Sequence, residues 1–166
     1  MVLSTGKKFF VAILLIACLL VLTKYILFKK SPRYYRRHFK SEYARYSISE
    51  GKKLANFVPF KTIRMMQNES LPAEYRVDNL GGNIVGFIPL GFLLPLLFLP
   101  CRRWWKTIAA IFFVSLGFET VQLLTGLGIF DVDDLILNVA GGMIGYILFL
   151  LFFGRRGRRT VTETLS

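Results

Sequence analysis

Apolar residues along this chain gather into four long blocks, and basic clusters separate them. A membrane-spanning helix needs about 20 mostly apolar residues. Residues 9–28 form the first block, broken only by Lys24, whose long side chain reaches toward the interface. Residues 80–100 form the second and carry no charge from Asn83 onward. The third runs over 104–124, and the fourth over 134–153, uncharged from Leu135. The pattern predicts an all-α, polytopic membrane protein with four transmembrane helices in a compact bundle. Lys7 and Lys8 precede the first block as in a signal peptide, but no small-residue cleavage site follows. The block is therefore read as an uncleaved span.

Four regions follow: a tail and first span (1–28), a basic aromatic loop (29–79), a three-helix core (80–153) and a basic tail (154–166). In the loop, Tyr35, Phe39, Tyr43 and Tyr46 follow 4-4-3 spacing among Arg33, Arg36, Arg37, Lys40 and Arg45. That spacing predicts one amphipathic helix face lying on anionic lipids, or packed as a solvated helix on the rest of the protein. Nucleic acid is not an expected partner for a segment tethered between two spans. Further on, Pro59 breaks the helical pattern within Asn56-Phe57-Val58-Pro59-Phe60, so this stretch is expected to dip toward the membrane. Asp78 or Asn79 is the expected cap of the second span. The sole histidine, His38, reads as a surface residue.

Composition agrees with a membrane protein. Of 166 residues, 54% are apolar, and 22 Lys and Arg against 10 Asp and Glu give a net charge of +12. Two cysteines exclude a disulfide scaffold, and this apolar content argues against disorder and against a soluble α/β enzyme. Charge also orients the spans. Lys7 and Lys8, then Arg102, Arg103 and Lys106, then Arg155, Arg156, Arg158 and Arg159 fall on one side, which is expected to be cytoplasmic with both termini. The short loop 125–132 carries no Lys or Arg, but the 29–79 loop carries 12 against five acids on the opposite side. Trp104 and Trp105 beside Arg103 read as an interfacial anchor.

Polar groups inside spans are costly and are functional candidates by default. Here they are Asn83, Glu119, Gln122, Asp133, Asp134 and Asn138, with Asp131 just outside. Antiparallel threading brings all of them to one membrane face, the face of the long loop. Glu119 and Gln122 share one helix face at i,i+3, and Asp134 and Asn138 share another at i,i+4, so the third and fourth spans can aim these pairs at each other. Gly82 with Gly86, and Gly141 with Gly145, are small-xxx-small pairs that permit close helix approach. Pro89 and Pro95 are expected to bend the second span. Together these features suggest a polar pocket at one mouth of a tight bundle.

Glu119, Asp131, Asp133 and Asp134 need partners to stay charged together. Three kinds are open: Lys61, Arg64 or Arg76 of the loop; a divalent cation such as magnesium at Asp131, Asp133 and Asp134; or a ligand with amine or polar groups. Catalysis is weakly supported, since no triad and no Gly-rich phosphate loop is present. An acid-only mechanism through Glu119 or Asp133 stays open.

Three ordered blocks resemble the VanZ-like family. Asn56-Phe57-Val58-Pro59-Phe60 is similar to its Asn-Leu-Ile-Pro-Phe segment. Asn83 through Phe87-Ile88-Pro89-Leu90-Gly91, then Pro95, resembles its Asn-x-x-x-Phe-x-Pro-Leu-Gly segment. Glu119-x-x-Gln122, Phe130-Asp131-Val132-Asp133-Asp134, Asn138, Gly141-Gly142 and Gly145 resemble its third block. Many members carry an arginine just before that Phe-Asp run, where this chain has Gly126-Leu127-Gly128-Ile129. The resemblance implies a multi-pass protein of the bacterial plasma membrane; the family's namesake is associated with low-level teicoplanin resistance. It implies a functional polar cluster at Asn83, Glu119, Gln122, Asp131, Asp133, Asp134 and Asn138. The expected function is binding or shielding of a cell-envelope molecule, a cell-wall precursor or a glycopeptide antibiotic, with no cofactor. The alternative is an integral-membrane enzyme acting on a lipid or cell-wall intermediate by carboxylate or metal chemistry. A homo-oligomer or a structural partner in a larger complex also fits the glycine faces.

Overall fold

The computed structural model describes residues 3–67 and 72–154. Among these the chain forms seven α-helices and one 3-10 turn, without a β-strand. Four helices are long and apolar enough to cross a bilayer: α1 (Thr5–Leu27), α5 (Ala73–Leu97), α6 (Trp104–Thr125) and α7 (Val132–Phe153). Three short helices fill the loop after α1: α2 (Pro32–His38), α3 (Ser41–Leu54) and α4 (Lys61–Met66). Arg155, Arg156, Arg158 and Arg159 of the basic tail lie outside the described residues.

The bundle is organised around α5 and α7, its most closely packed pair. Apolar side chains gain little by leaving lipid for another helix, so spans associate through close backbone packing and hydrogen bonds. Here the approach is set by glycine. A Cβ on Gly141 would lie 2.0 Å from the Ile84 carbonyl oxygen, and one on Gly145 would lie 2.0 Å from that of Ile88. From the α5 side, Gly91 faces the Gly142 backbone, and Ile111 of α6 fills the notch over Gly142. Gly86 contacts Leu22 of α1. Gly82, expected to pair with it, meets nothing within 4 Å. The contact face of α5 runs through Ile84, Ile88 and Gly91 instead. Phe87, Leu90 and Ile111 are fully buried, while Phe9, Phe10, Leu20 and Phe113 project outward, as lipid-facing positions do. Helix α5 continues through both Pro89 and Pro95.

Several local expectations are corrected. Helix α5 begins at Ala73 with Pro72 at its N-cap, so Asp78 and Asn79 lie inside it rather than capping it. The Tyr35–Tyr46 aromatics do not form one helical stripe. Phe39 ends α2, and Lys40, with extended backbone, starts α3. That break turns α3 onto the C-terminal end of α6. There α6 stops at Gly126, whose φ of 66° closes the helix with a bond to the Gln122 carbonyl. Its missing Cβ leaves room for the Ser47 and Ile48 backbone of α3. At the other end of the bundle, Tyr146 donates to the Arg102 carbonyl at 2.6 Å. Trp104 and Trp105 are exposed there, and the Lys106 ammonium lies 5.2 Å from the Trp105 ring centre.

Candidate functional site

The acids at the start of α7 clamp the loop that precedes α5. Asn56 and Asp131 form an isolated parallel bridge. The Asn56 amide donates to the Phe130 carbonyl at 2.8 Å, and Val132 donates to the Asn56 carbonyl at 3.0 Å. Asn56 Nδ2 also donates to Asp131 Oδ1 at 2.8 Å, and Thr62 donates to Asp131 Oδ2 at 2.5 Å. Asp131 caps α7 by accepting from the Asp133 amide at 2.9 Å. Asp133, with no exposed surface, accepts from the Phe60 amide at 2.5 Å and the Ile63 amide at 3.1 Å. Phe60 sits in the left-handed region with φ of 64°, which turns the chain so that α4 starts over Asp133. The Phe57 ring stacks on Phe130 at 4.9 Å. Proline at 59 and the charged anchor beneath it explain why this stretch folds inward.

The remaining polar residues tie neighbouring segments together. Glu119, 2% exposed, accepts the Asp131 amide at 2.8 Å. Asn83 of α5 donates to Asp134 at 2.6 Å, and Asn138 donates to Ser115 of α6 at 2.8 Å. Gln122 turns away to the Ile26 carbonyl of α1 at 3.2 Å. The expected facing of the Glu119–Gln122 pair on the Asp134–Asn138 pair is thus not what the chain adopts. Each residue instead ties one more segment to the same mouth. The side-chain oxygens of Gln122 and Asn138 are buried without a protein partner.

Electrostatically the cluster is held by dipoles. Among the described residues, no Lys or Arg stands within 4.0 Å of Glu119, Asp131, Asp133 or Asp134. Lys61 and Arg64, expected as counter-charges, are exposed. Backbone amides and Thr62 serve in their place. Both oxygens of Asp131 and of Asp133 are engaged by protein donors. Among the described residues, no three His, Cys, Asp or Glu side chains converge as metal ligands.

A family match spans these elements: the VanZ/LLP1 family covers residues 10–153, almost the whole of the four-helix bundle and its loop. The chain belongs to the VanZ/LLP1 family. No curated protein and no solved structure matches it. In this VanZ/LLP1 protein the turn after α6 is tight. A Cβ on Gly128 would lie 2.5 Å from Gln122 Nε2, and Gly126 holds its positive φ.

Three participants escaped sequence reasoning. Asn56 stood inside a recognised segment without a role, and nothing local shows that it pairs with a residue 75 positions away. Ser115 looked like an isolated serine until α7 brought Asn138 to it. His38, expected at the surface, is fully buried. Its Nε2 donates to the Thr125 carbonyl at 2.6 Å, and its ring stacks on Tyr34 at 5.5 Å. Thr125 is the last residue of α6, so His38 pins α2 to the site's rim.

Proposed function

We propose that this VanZ/LLP1 protein is a non-enzymatic binding module of the bacterial plasma membrane. It holds a molecule of the cell envelope at the face that carries the acidic cluster. A cell-wall precursor and a glycopeptide antibiotic of the teicoplanin type are the ligands to test. One observation carries the reading. Asp131 and Asp133 spend all four carboxylate oxygens on fixing the 56–63 segment and capping α7. Carboxylates so engaged act as a clamp, and what the clamp presents is a basic, aromatic layer. Phe39, Tyr43, Tyr46 and Phe57 are exposed on it. Aromatic and basic side chains together suit an amphiphilic anion at a membrane surface.

The termini are assigned to the cytoplasm and the clamp to the outer face, supported by Lys7, Lys8, Arg102, Arg103 and Lys106 against the 125–132 turn, which carries no Lys or Arg. The test is titration of the purified full chain in neutral detergent with teicoplanin and with a lipid-linked cell-wall precursor, alongside Asp133→Asn. Binding of one probe, weakened in Asp133→Asn while membrane insertion persists, is the expected result. Equal binding by the variant, or binding of neither probe, overturns the reading.

A second reading is an integral-membrane enzyme acting on a lipid or cell-wall intermediate. The buried oxygens of Gln122 and Asn138, which have no protein partner, favour it, since such groups call for a donor that a substrate can supply. Lipid turnover that depends on Glu119 or responds to a chelator would establish it.

A further inference from the structure

A cavity of about 310 Å³ opens beside α2, lined by Ser31, Arg33, Tyr34, Arg37 and Tyr43. Its chemistry is one-sided. Two arginines and three hydroxyl-bearing residues line it, and among the described side chains no carboxylate does. Arg33 and Arg37 stand at i,i+4 on one helix, where like charges repel. Neither side chain makes a hydrogen bond or ion pair among the described residues. A helix of seven residues that places two unpaired cations on one wall is stabilised by an anion between them.

The cavity walls are also fixed. Tyr34 and Tyr43 pack around His38 at 5.5 and 6.1 Å between ring centres, and His38 is anchored to the end of α6. Tyr35 donates to the Leu27 carbonyl at 3.2 Å and accepts from the Lys30 amide at 2.7 Å, which ties α2 to the end of span α1. The cavity therefore lies just beyond the end of span α1. Arginine forks and hydroxyl donors together can satisfy the several oxygens of a phosphate through charge-assisted hydrogen bonds.

We propose that this cavity is a phosphate site, filled by a phospholipid headgroup or by free phosphate. The inference rests on the reading that this face binds an anionic envelope molecule, and it names the group recognised and the residues that take it. The ligand phosphate lies between Arg33 and Arg37, with Tyr34, Tyr43 and Ser31 donating to its remaining oxygens.

The experiment uses the purified full chain in neutral detergent, titrated with inorganic phosphate, short-chain phosphatidylglycerol and short-chain phosphatidylcholine, with thermal stabilisation as the readout. Arg33→Gln and Arg37→Gln are compared with Arg36→Gln, which removes the same charge from the same helix outside the cavity. Stabilisation by an anionic probe, weakened roughly tenfold or more by Arg33→Gln or Arg37→Gln but not by Arg36→Gln, is expected. Inorganic phosphate acting alone identifies free phosphate as the occupant; phosphatidylglycerol acting without it identifies the headgroup. Equal loss in Arg36→Gln reduces the effect to general surface charge and overturns the site, as does equal stabilisation by phosphatidylcholine. If the cell-wall precursor still binds while these probes fail, this inference falls and the proposed function stands. If the precursor fails while the arginine-dependent phosphate effect persists, the reverse holds.

Discussion

Asn56 and Asp131, 75 residues apart, are joined both through their backbones as a parallel bridge and through an Nδ2–Oδ1 bond of 2.8 Å. The pair fastens the loop before α5 to the start of α7, and Thr62 completes the Asp131 carboxylate. Removing either side chain leaves a buried or partly buried polar partner unsatisfied, at a cost of roughly 1–3 kcal/mol. Residues in one hydrogen-bond network couple by about 0.5–3 kcal/mol. A double-mutant cycle of Asn56→Ala and Asp131→Ala, followed by thermal unfolding in detergent, is expected to show the double variant losing less than the two singles together. Strict additivity would mean that the backbone bridge alone holds the loop.

Asp133→Asn tests the second half of the clamp. Asp133 presents two acceptor oxygens to two amide donors, Phe60 and Ile63. Asparagine keeps one acceptor and turns an NH2 toward the other donor. The expected penalty is again about 1–3 kcal/mol, since one buried donor loses its partner. Hydrogen exchange should show faster exchange at the Phe60 and Ile63 amides, with the α5–α7 contact unchanged. Unaltered protection at both amides would refute the clamp.

Glycine positions discriminate between helix packing and mere helix composition. At Gly145 an added methyl meets the Ile88 carbonyl at 2.0 Å, and backbone cannot swing aside as a side chain can. Gly145→Ala is expected to destabilise by about 1–3 kcal/mol through overpacking. Gly82→Ala meets nothing within 4 Å and gains helix propensity of about 1 kcal/mol, so it should be neutral or stabilising. Thermal unfolding of the two variants side by side reads the contrast; equal effects would show that the α5–α7 approach is not set by glycine.

The contrast between Gly82 and Gly145 also shows what a sequence exposes. Span existence is a local property, and three of the four apolar blocks begin and end within a few residues of α1, α6 and α7, while the second begins inside α5. Antiparallel threading is enough to bring Asn83, Glu119, Asp131 and Asp134 to one mouth. Which face of α5 meets α7 depends on the partner's shape, so Gly82 and Gly91 were indistinguishable by spacing. The break at Phe39 and Lys40 has no proline or glycine to announce it; His38 reaching Thr125 and α3 reaching α6 select it. His38 lies in a run of arginines and tyrosines that reads as surface, yet three aromatic rings and a helix end enclose it. The counter-charges expected at the acids proved to be amides, which every sequence carries and none displays.

Sidedness is the last prediction, because two charge signals oppose each other. Lys7, Lys8, Arg102, Arg103 and Lys106 flank spans closely and favour a cytoplasmic end opposite the clamp. The 29–79 loop, with 12 Lys and Arg, favours the clamp end instead. Long loops obey the rule less well, so the short flanks should prevail. In a Cys18→Ala, Cys101→Ala background, Tyr46→Cys places a thiol on an exposed α3 position at the clamp end, and Arg103→Cys places one at the opposite end. A membrane-impermeant thiol reagent is expected to label Tyr46→Cys in intact cells and Arg103→Cys only in inverted vesicles. The opposite pattern would put the basic layer in the cytoplasm. An external antibiotic could not then reach it, and binding of a cytoplasmic lipid-linked intermediate would become the reading to pursue.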